Sequence, residues 1–255
     1  MCKFINRYAC LVVLVICLLV SYNTKGVVAA YEEGDVSNGG TISGTVKLAG
    51  DAPEAKMLKV DKDPKTCGHD AIPSEALILS SDKGVKNAVV SISNISKGKK
   101  FKGAGTPTID QKECVFIPHV SLVPKGGTVN LLNSDDVMHN LHSWSMKNTA
   151  FNEGVAGGGK LPKTFEHPET IKITCDVHKW MTSWLIVQDN PYYVLTDGNG
   201  NFKIEDVPPG TYTLQAWQES LGKVTQEVTV KSGEASTANF EMTKKKKRGR
   251  KRKKK

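Results

Sequence analysis

The chain has 255 residues, a formal net charge of +9 and six cysteines. The charge is concentrated at the ends: residues 244–255 contribute +11 and the first thirty residues contribute +3, which leaves −5 for residues 31–243. The body of the chain is therefore mildly acidic, and its basic isoelectric point does not describe a basic folded surface. About 225 residues follow the first thirty, enough for two small domains.

The first thirty residues predict an export signal. Lys3 and Arg7 give a positive start, residues 9–20 form an apolar run, and the small residues of "VVAA" end at Ala30. An apolar run of twelve residues is short of the roughly 20 that a membrane-spanning helix needs. We therefore predict a signal peptide over residues 1–30 and a periplasmic, secreted or cell-surface location, with an uncleaved anchor as the alternative.

The last twelve residues, "KKKKRGRKRKKK", include eleven basic side chains. Such a run repels itself and cannot bury apolar surface, so the sequence predicts a disordered tail over residues 244–255. The tail is either merely solvated or a contact for a polyanion or a membrane surface. Export argues against a nucleic-acid partner.

Short β-rich runs dominate residues 31–243, and no long segment has helical periodicity. Clusters such as "PKGG", "NSDD" and "DGNGN" separate these runs and are typical of turns. Many short strands joined by Gly, Pro and Asn turns predict an all-β protein built of sandwiches or barrels.

The segment "TDGNGNFKIEDVPPGTYTLQAW" at 196–217 resembles the carboxypeptidase regulatory-like (prealbumin-like) β-sandwich family. The early strands that this family implies match "GTISGTVKLAG" at 40–50 and "GVKNAVVSISN" at 84–94. The resemblance therefore implies a small sandwich made from 31–99 and 190–243, with a second domain at 100–189 inserted between its halves. Two consecutive domains are the simpler alternative.

Three cysteines lie outside the signal: Cys67, Cys114 and Cys175. In an oxidising compartment two of three should pair. Cys175 has a histidine and a methionine beside it, so counting assigns the disulfide to Cys67 and Cys114. The alternative is a second metal site in which these two cysteines join His69 and His119.

The sequence "ITCDVHKWM" places Cys175, His178 and Met181 at intervals of three residues, just after an apolar strand. Thiolate, imidazole and thioether are ligands that copper prefers, and a blue-copper site adds a second imidazole. "DVMHNLHSW" offers His139 and His142 on a predicted strand. Side chains three apart on a strand point to opposite faces, so one of the two should face the metal, and spacing does not choose between them.

Together, "MHNLH" and "CDVHKWM" resemble the amicyanin type of cupredoxin, a small periplasmic electron carrier. The resemblance implies a Greek-key β-sandwich with one type 1 copper bound by His139, Cys175, His178 and Met181. It further implies that Asn140 ties the two ligand segments together by hydrogen bonds. The outward edge of His178 would be the electron doorway, and we expect Trp180 to help form an apolar docking surface around it.

Together, the export signal, the ligand spacing and the resemblance predict an exported type 1 copper protein. We expect it to transfer single electrons between redox protein partners and not to be an enzyme. No serine–histidine–acid arrangement or paired-carboxylate motif is visible in the sequence. Two alternatives stay open. One is a non-redox cell-surface module with a vestigial metal loop, and the other is a copper carrier or a copper enzyme.

Overall fold

Alternating buried and exposed side chains run through most of the strands, as expected where one face of a sheet covers a core. A computed structural model describes residues 30–68, 71–101 and 105–244. The predicted all-β class is confirmed: apart from one helical turn, the regular structure of these residues consists of strands. The signal peptide predicted for 1–30, apart from its last residue, and the predicted tail from residue 245 lie outside the described residues. Among the residues that the structure describes, no helix is long and apolar enough to span a membrane.

The helix is α1 (Pro64–Cys67), and the strands in chain order are β1 (Glu32–Glu33), β2 (Gly40–Leu48), β3 (Met57–Lys59), β4 (Ala71–Pro73), β5 (Val89–Ile92), β6 (Lys97–Gly98), β7 (Thr108–Lys112), β8 (Val115–Ile117), β9 (Val120–Pro124), β10 (Gly127–Asn133), β11 (His139–Ser143), β12 (Asn152–Val155), β13 (Lys160–Phe165), β14 (Glu169–Thr174), β15 (Thr182–Gln188), β16 (Tyr193–Leu195), β17 (Asn201–Val207), β18 (Gly210–Gln218), β19 (Gly222–Val230), β20 (Ala235–Thr237) and β21 (Phe240–Met242).

The first sandwich combines strands from the two ends of the described chain. One sheet has the order β16-β5-β18-β19, and the other has β17-β2-β20 with β21 also paired to β2. Glycines allow the early and late segments to meet closely: a Cβ at Gly84 would lie 1.9 Å from the carbonyl oxygen of Asn199. The core of this sandwich is apolar and includes Ile42, Val90 and Leu214.

The second sandwich is made from residues 108–188. Its sheets have the orders β13-β10-β7-β8 and β12-β11-β14-β15-β9. In β14, Ile171 and Ile173 point into the core, while Lys172 between them is more exposed. This strand ends one residue before Cys175, so its burial anchors the predicted ligand loop.

The two sandwiches meet through a small apolar cluster around Val89, Val120 and Ile186. Trp184 and Trp217 cross it edge to face, with ring centroids 5.2 Å apart.

The structure places part of residues 57–73 against a different sandwich from the one expected from the sequence. They lie within the predicted sandwich segment 31–99, but Val60 and Cys67 are buried in the core of the second sandwich. We call residues 57–73 the strap. It contains β3, α1 and β4, and β3 pairs with β4.

Candidate metal centre

The loop between β14 and β15 presents Cys175 and His178. The backbone N–H of Met181 donates to the carbonyl of His178 at 2.9 Å, which closes the loop tightly. The backbone N–H of His178 points at the sulfur of Cys175, with a nitrogen–sulfur distance of 3.3 Å. Cys175 is a free, buried cysteine. Strands on both sides therefore fix the thiol and the imidazole relative to each other.

His139, on β11, lies next to Cys175 and His178. This strand pairs with β14 through His142↔Thr174 and Ser143↔Ile173, so it lies beside the strand that leads to Cys175. The Nδ1 atoms of His139 and His178 are 2.8 Å apart. The sulfur of Cys175 lies 3.7 Å from Nδ1 of His178. Ligand atoms from these three buried residues all lie within 4.8 Å of one another.

His142 points away from the cluster. Its Nδ1 lies 3.1 Å from the carboxylate of Asp176, and its ring stacks on Trp144 with centroids 4.2 Å apart. The alternation of side chains along β11 thus places His139 inside and His142 outside, which resolves the ambiguity that spacing left.

Met181 and Asn140 also lie at the cluster. Met181 ends the ligand loop and is fully buried in the second core; its role as axial ligand stays a prediction. The side-chain oxygen of Asn140 accepts hydrogen bonds from the backbone N–H groups of Asp176 and Val177. Asn140 therefore links the strand of His139 to the loop of Cys175.

Two carboxylates that the sequence analysis missed complete the surroundings of the histidines. Asp135 lies 2.8 Å from Nε2 of His139, and Asp63 of the strap lies 2.7 Å from Nε2 of His178. Asp135 stands four residues before His139, close enough to have been considered from sequence. Asp63 is 115 residues from His178, and no local pattern connects them.

Burial lowers the pKa of His139, although its hydrogen bond with Asp135 acts in the opposite direction. The neutral imidazole, which is the form that binds metals, is therefore favoured. Because both Nε2 atoms have a carboxylate partner, both Nδ1 atoms are left facing each other and the thiol.

The strap is attached at this site by a disulfide between Cys67 and Cys114. Their sulfur atoms and a ring nitrogen of His178 lie within 4.8 Å of one another. The two cysteines are bonded to each other and are not free thiolates. His119 interacts with Glu219 and lies 3.8 Å from Glu75, while His69 is outside the described residues.

The surface around His178, whose outward edge was the predicted electron doorway, differs from the one expected. His178 is 0% exposed, and Asp63 covers its outer nitrogen. Trp180 is also buried, and its Nε1 donates to the carbonyl of Cys114 at 2.9 Å. The expectations of an exposed imidazole edge and of a docking surface around Trp180 are wrong, because Asp63 of the strap covers His178 and Trp180 is packed in the second core. Trp144, in contrast, is 56% exposed.

Comparison with known protein families agrees with the carboxypeptidase regulatory-like resemblance. The family model of the carboxypeptidase regulatory-like domain matches residues 186–243, which confirms that resemblance for the segment. No match was found among curated protein sequences.

Solved structures of copper proteins are similar to part of the chain. They include the Cu-containing nitrite reductase NirK from Thermus scotoductus SA-01 (21% identity, 35% of this chain and 24% of that chain, TM-score 0.32). A reduced Cu(I) form of an amicyanin mutant has 20% identity over 33% of this chain and 84% of that chain, with a TM-score of 0.31. A purple cupredoxin from Nitrosopumilus maritimus has 23% identity over 32% of this chain and 99% of that chain, with a TM-score of 0.29.

The matched region thus spans about a quarter of the nitrite reductase. Because all three TM-scores are low, the interpretation of the metal centre depends on its own geometry.

Proposed function

We propose that this chain is an exported type 1 copper protein that transfers single electrons between redox protein partners. It would bind one copper through His139, Cys175 and His178, and Met181 would supply a weaker fourth ligand. The observation that carries the proposal is a buried free thiol facing two imidazole Nδ1 atoms that are 2.8 Å apart.

The donor set fits a soft cation. If each imidazole donates its Nε2 proton to a carboxylate, each Nδ1 keeps a lone pair. Two lone pairs that face each other repel, and a cation between them removes the repulsion. One thiolate, two imidazoles and the thioether that we propose as the fourth ligand match copper, whereas thioether is a poor ligand for zinc.

When bound, copper supplies reversible single-electron chemistry. The chain's part is to hold the ligands in one arrangement, because electron transfer is faster when bonding changes little between oxidation states. Pairing of β14 with β11 and β15 holds both ligand segments, and the Asn140 bridge ties them together. Burial of His139, Cys175 and His178 excludes water from the thiolate.

The same burial supports an electron carrier over a copper enzyme, which needs a coordination position that its substrate can reach. A location outside the cytoplasm is part of the proposal, because a structural disulfide such as Cys67–Cys114 is typical of oxidising compartments. The basic tail would add a contact with a polyanionic or membrane surface. If so, deleting residues 244–255 should abolish salt-sensitive binding to vesicles that contain acidic lipids and leave the copper spectrum unchanged.

The test is to load the purified protein with Cu(II) and to record its visible and EPR spectra. We expect an intense thiolate-to-copper band that is lost in Cys175→Ala and His139→Gln. His142→Gln is the matched control on the same strand and should keep the band. One-electron reduction and reoxidation should be reversible. A protein that stays colourless after loading would favour the surface module with a vestigial loop, and rapid release of Cu(I) to a chelator would favour a copper carrier.

A further inference from the structure

Each histidine of the metal centre has a carboxylate on the side away from the thiol. Asp63 lies 2.7 Å from Nε2 of His178, and Asp135 lies 2.8 Å from Nε2 of His139. The two acids come from separate parts of the chain: Asp135 precedes β11, and Asp63 belongs to the strap. The centre is thus flanked by two acidic groups in addition to its own thiol.

We propose that Asp63 and Asp135 are positioning residues that aim both Nδ1 atoms at copper, and that their negative charge lowers the reduction potential by favouring Cu(II) over Cu(I). This inference rests on the proposed copper function. It makes the strap part of the metal centre, since Asp63 would set the properties of a metal whose proposed ligands lie 76 to 118 positions further along the chain.

The orienting effect follows from imidazole chemistry. A neutral imidazole has one N–H donor and one lone pair, so a carboxylate that accepts the Nε2 proton fixes the lone pair on Nδ1. Asp135 is itself held, because its oxygens accept the backbone N–H groups of Glu113 at 2.6 Å and Cys114 at 2.9 Å. Asp135 therefore favours the tautomer of His139 that keeps its lone pair on Nδ1, and it restrains the angle of the ring.

Asp63 is held by its backbone and by the disulfide. It has a φ of 48° and immediately precedes α1, whose last residue, Cys67, is bonded to Cys114. A left-handed φ of this kind is adopted most readily by Asn and Asp among residues with a side chain. Asparagine is thus a fitting replacement: it keeps the backbone and one acceptor oxygen, replaces the other oxygen by an NH2 donor, and removes the charge.

The effect of charge follows from Coulomb's law in a poorly solvated site. A negative carboxylate is attracted more strongly to Cu(II) than to Cu(I), and the attraction is larger where water is excluded. The side chain of Asp135 is 6% exposed and that of Asp63 is 42% exposed. Asp135 should therefore have the larger influence, and solvent should screen part of the influence of Asp63.

A purely structural role makes a different prediction. If the acids only kept the rings in place, their loss would weaken Cu(I) and Cu(II) binding alike and leave the potential unchanged. If their charge matters, Cu(II) binding weakens more than Cu(I) binding, and the potential rises.

Asp63→Asn is the test variant. Asp135→Asn is less suitable because it would leave a backbone donor without its acceptor. Asp61→Asn is the control, because it removes the same charge from an exposed residue two positions away in the strap. The full chain would be measured by spectroelectrochemical titration, and Cu(II) and Cu(I) affinities by competition with chelators.

We expect Asp63→Asn to weaken Cu(II) affinity by about 10–100-fold, the usual effect of losing a partner of a ligating histidine. Cu(I) affinity should fall less, the potential should rise relative to Asp61→Asn, and the thiolate-to-copper band should persist. Equal potentials in the two variants, or equal losses of Cu(I) and Cu(II) affinity, would overturn the charge effect.

A measurement on the metal-free protein separates this inference from the proposed function. Nitrogen chemical shifts of His178 should identify the tautomer protonated at Nε2 in the wild type, and Asp63→Asn should weaken that bias. A correct tautomer without a copper band would refute the proposed function and keep the positioning role. A copper band with no preference for Nε2 protonation would refute the positioning role and keep the function.

Discussion

Replacing Cys67 and Cys114 together by serine should lower the free energy of unfolding by about 4 kcal/mol. The disulfide joins residues 47 positions apart. For a loop of this length, the chain-entropy relation gives about 14 cal/mol/K of lost entropy in the unfolded chain, which is about 4 kcal/mol at 25 °C. Loosening the strap should also weaken the contact between Asp63 and His178.

The assay is urea unfolding of the metal-free protein followed by tryptophan fluorescence, with midpoints and slopes compared between variant and wild type. Wild-type protein with its disulfide reduced is the control, because it lacks the cross-link but keeps both cysteine side chains. It should lose the same stability as the double variant. A loss below about 1 kcal/mol, well under the usual range for a native disulfide, would refute the idea that the cross-link holds the strap in place.

Two further predictions concern contacts around the ligand segments. Asn140→Ala should destabilise the protein by about 1–3 kcal/mol, because the backbone N–H of Asp176 loses its acceptor; thermal unfolding that matches the wild type would contradict this role. Burial alone would raise the pKa of Glu169, but hydrogen bonds from Ser145 and the turn that follows it outweigh burial and lower the pKa to about 2. This carboxylate should thus contribute stability above its ordinary pKa of 4.5, and the contribution should be lost as the pH falls towards 2. Glu169→Gln should flatten the acid dependence in that window, and Glu166→Gln, an exposed neighbour, should not; identical pH profiles for wild type and Glu169→Gln would count against the assignment.

Much of the metal centre could be predicted from the sequence because several of its residues are close together along the chain. Cys175 and His178 share one short loop between two strands, so their spacing alone predicts that they act together. The choice of the second histidine required the structure. His139 and His142 are equivalent by spacing, and only the alternation of side chains along β11 in the folded sheet distinguishes them. The all-β class followed from the turn residues that punctuate the strands.

The strap could not be predicted from local patterns. Its sequence, "DKDPKTCGHD" at 61–70, contains no feature that identifies His178 as a neighbour. The contact depends on where the disulfide brings the strap, which is a property of the tertiary structure. For the same reason the burial of His178 could not be predicted, since Asp63 of the strap covers its outer nitrogen.

Copper-edge anomalous diffraction from crystals of the copper-loaded protein would test the central claim most directly. We predict a single copper peak within bonding distance of the sulfur of Cys175 and of Nδ1 of both His139 and His178. Asp63 and Asp135 should still accept hydrogen bonds from the Nε2 atoms. Copper bound elsewhere, or a Cys175 sulfur outside bonding distance of the peak, would contradict the account.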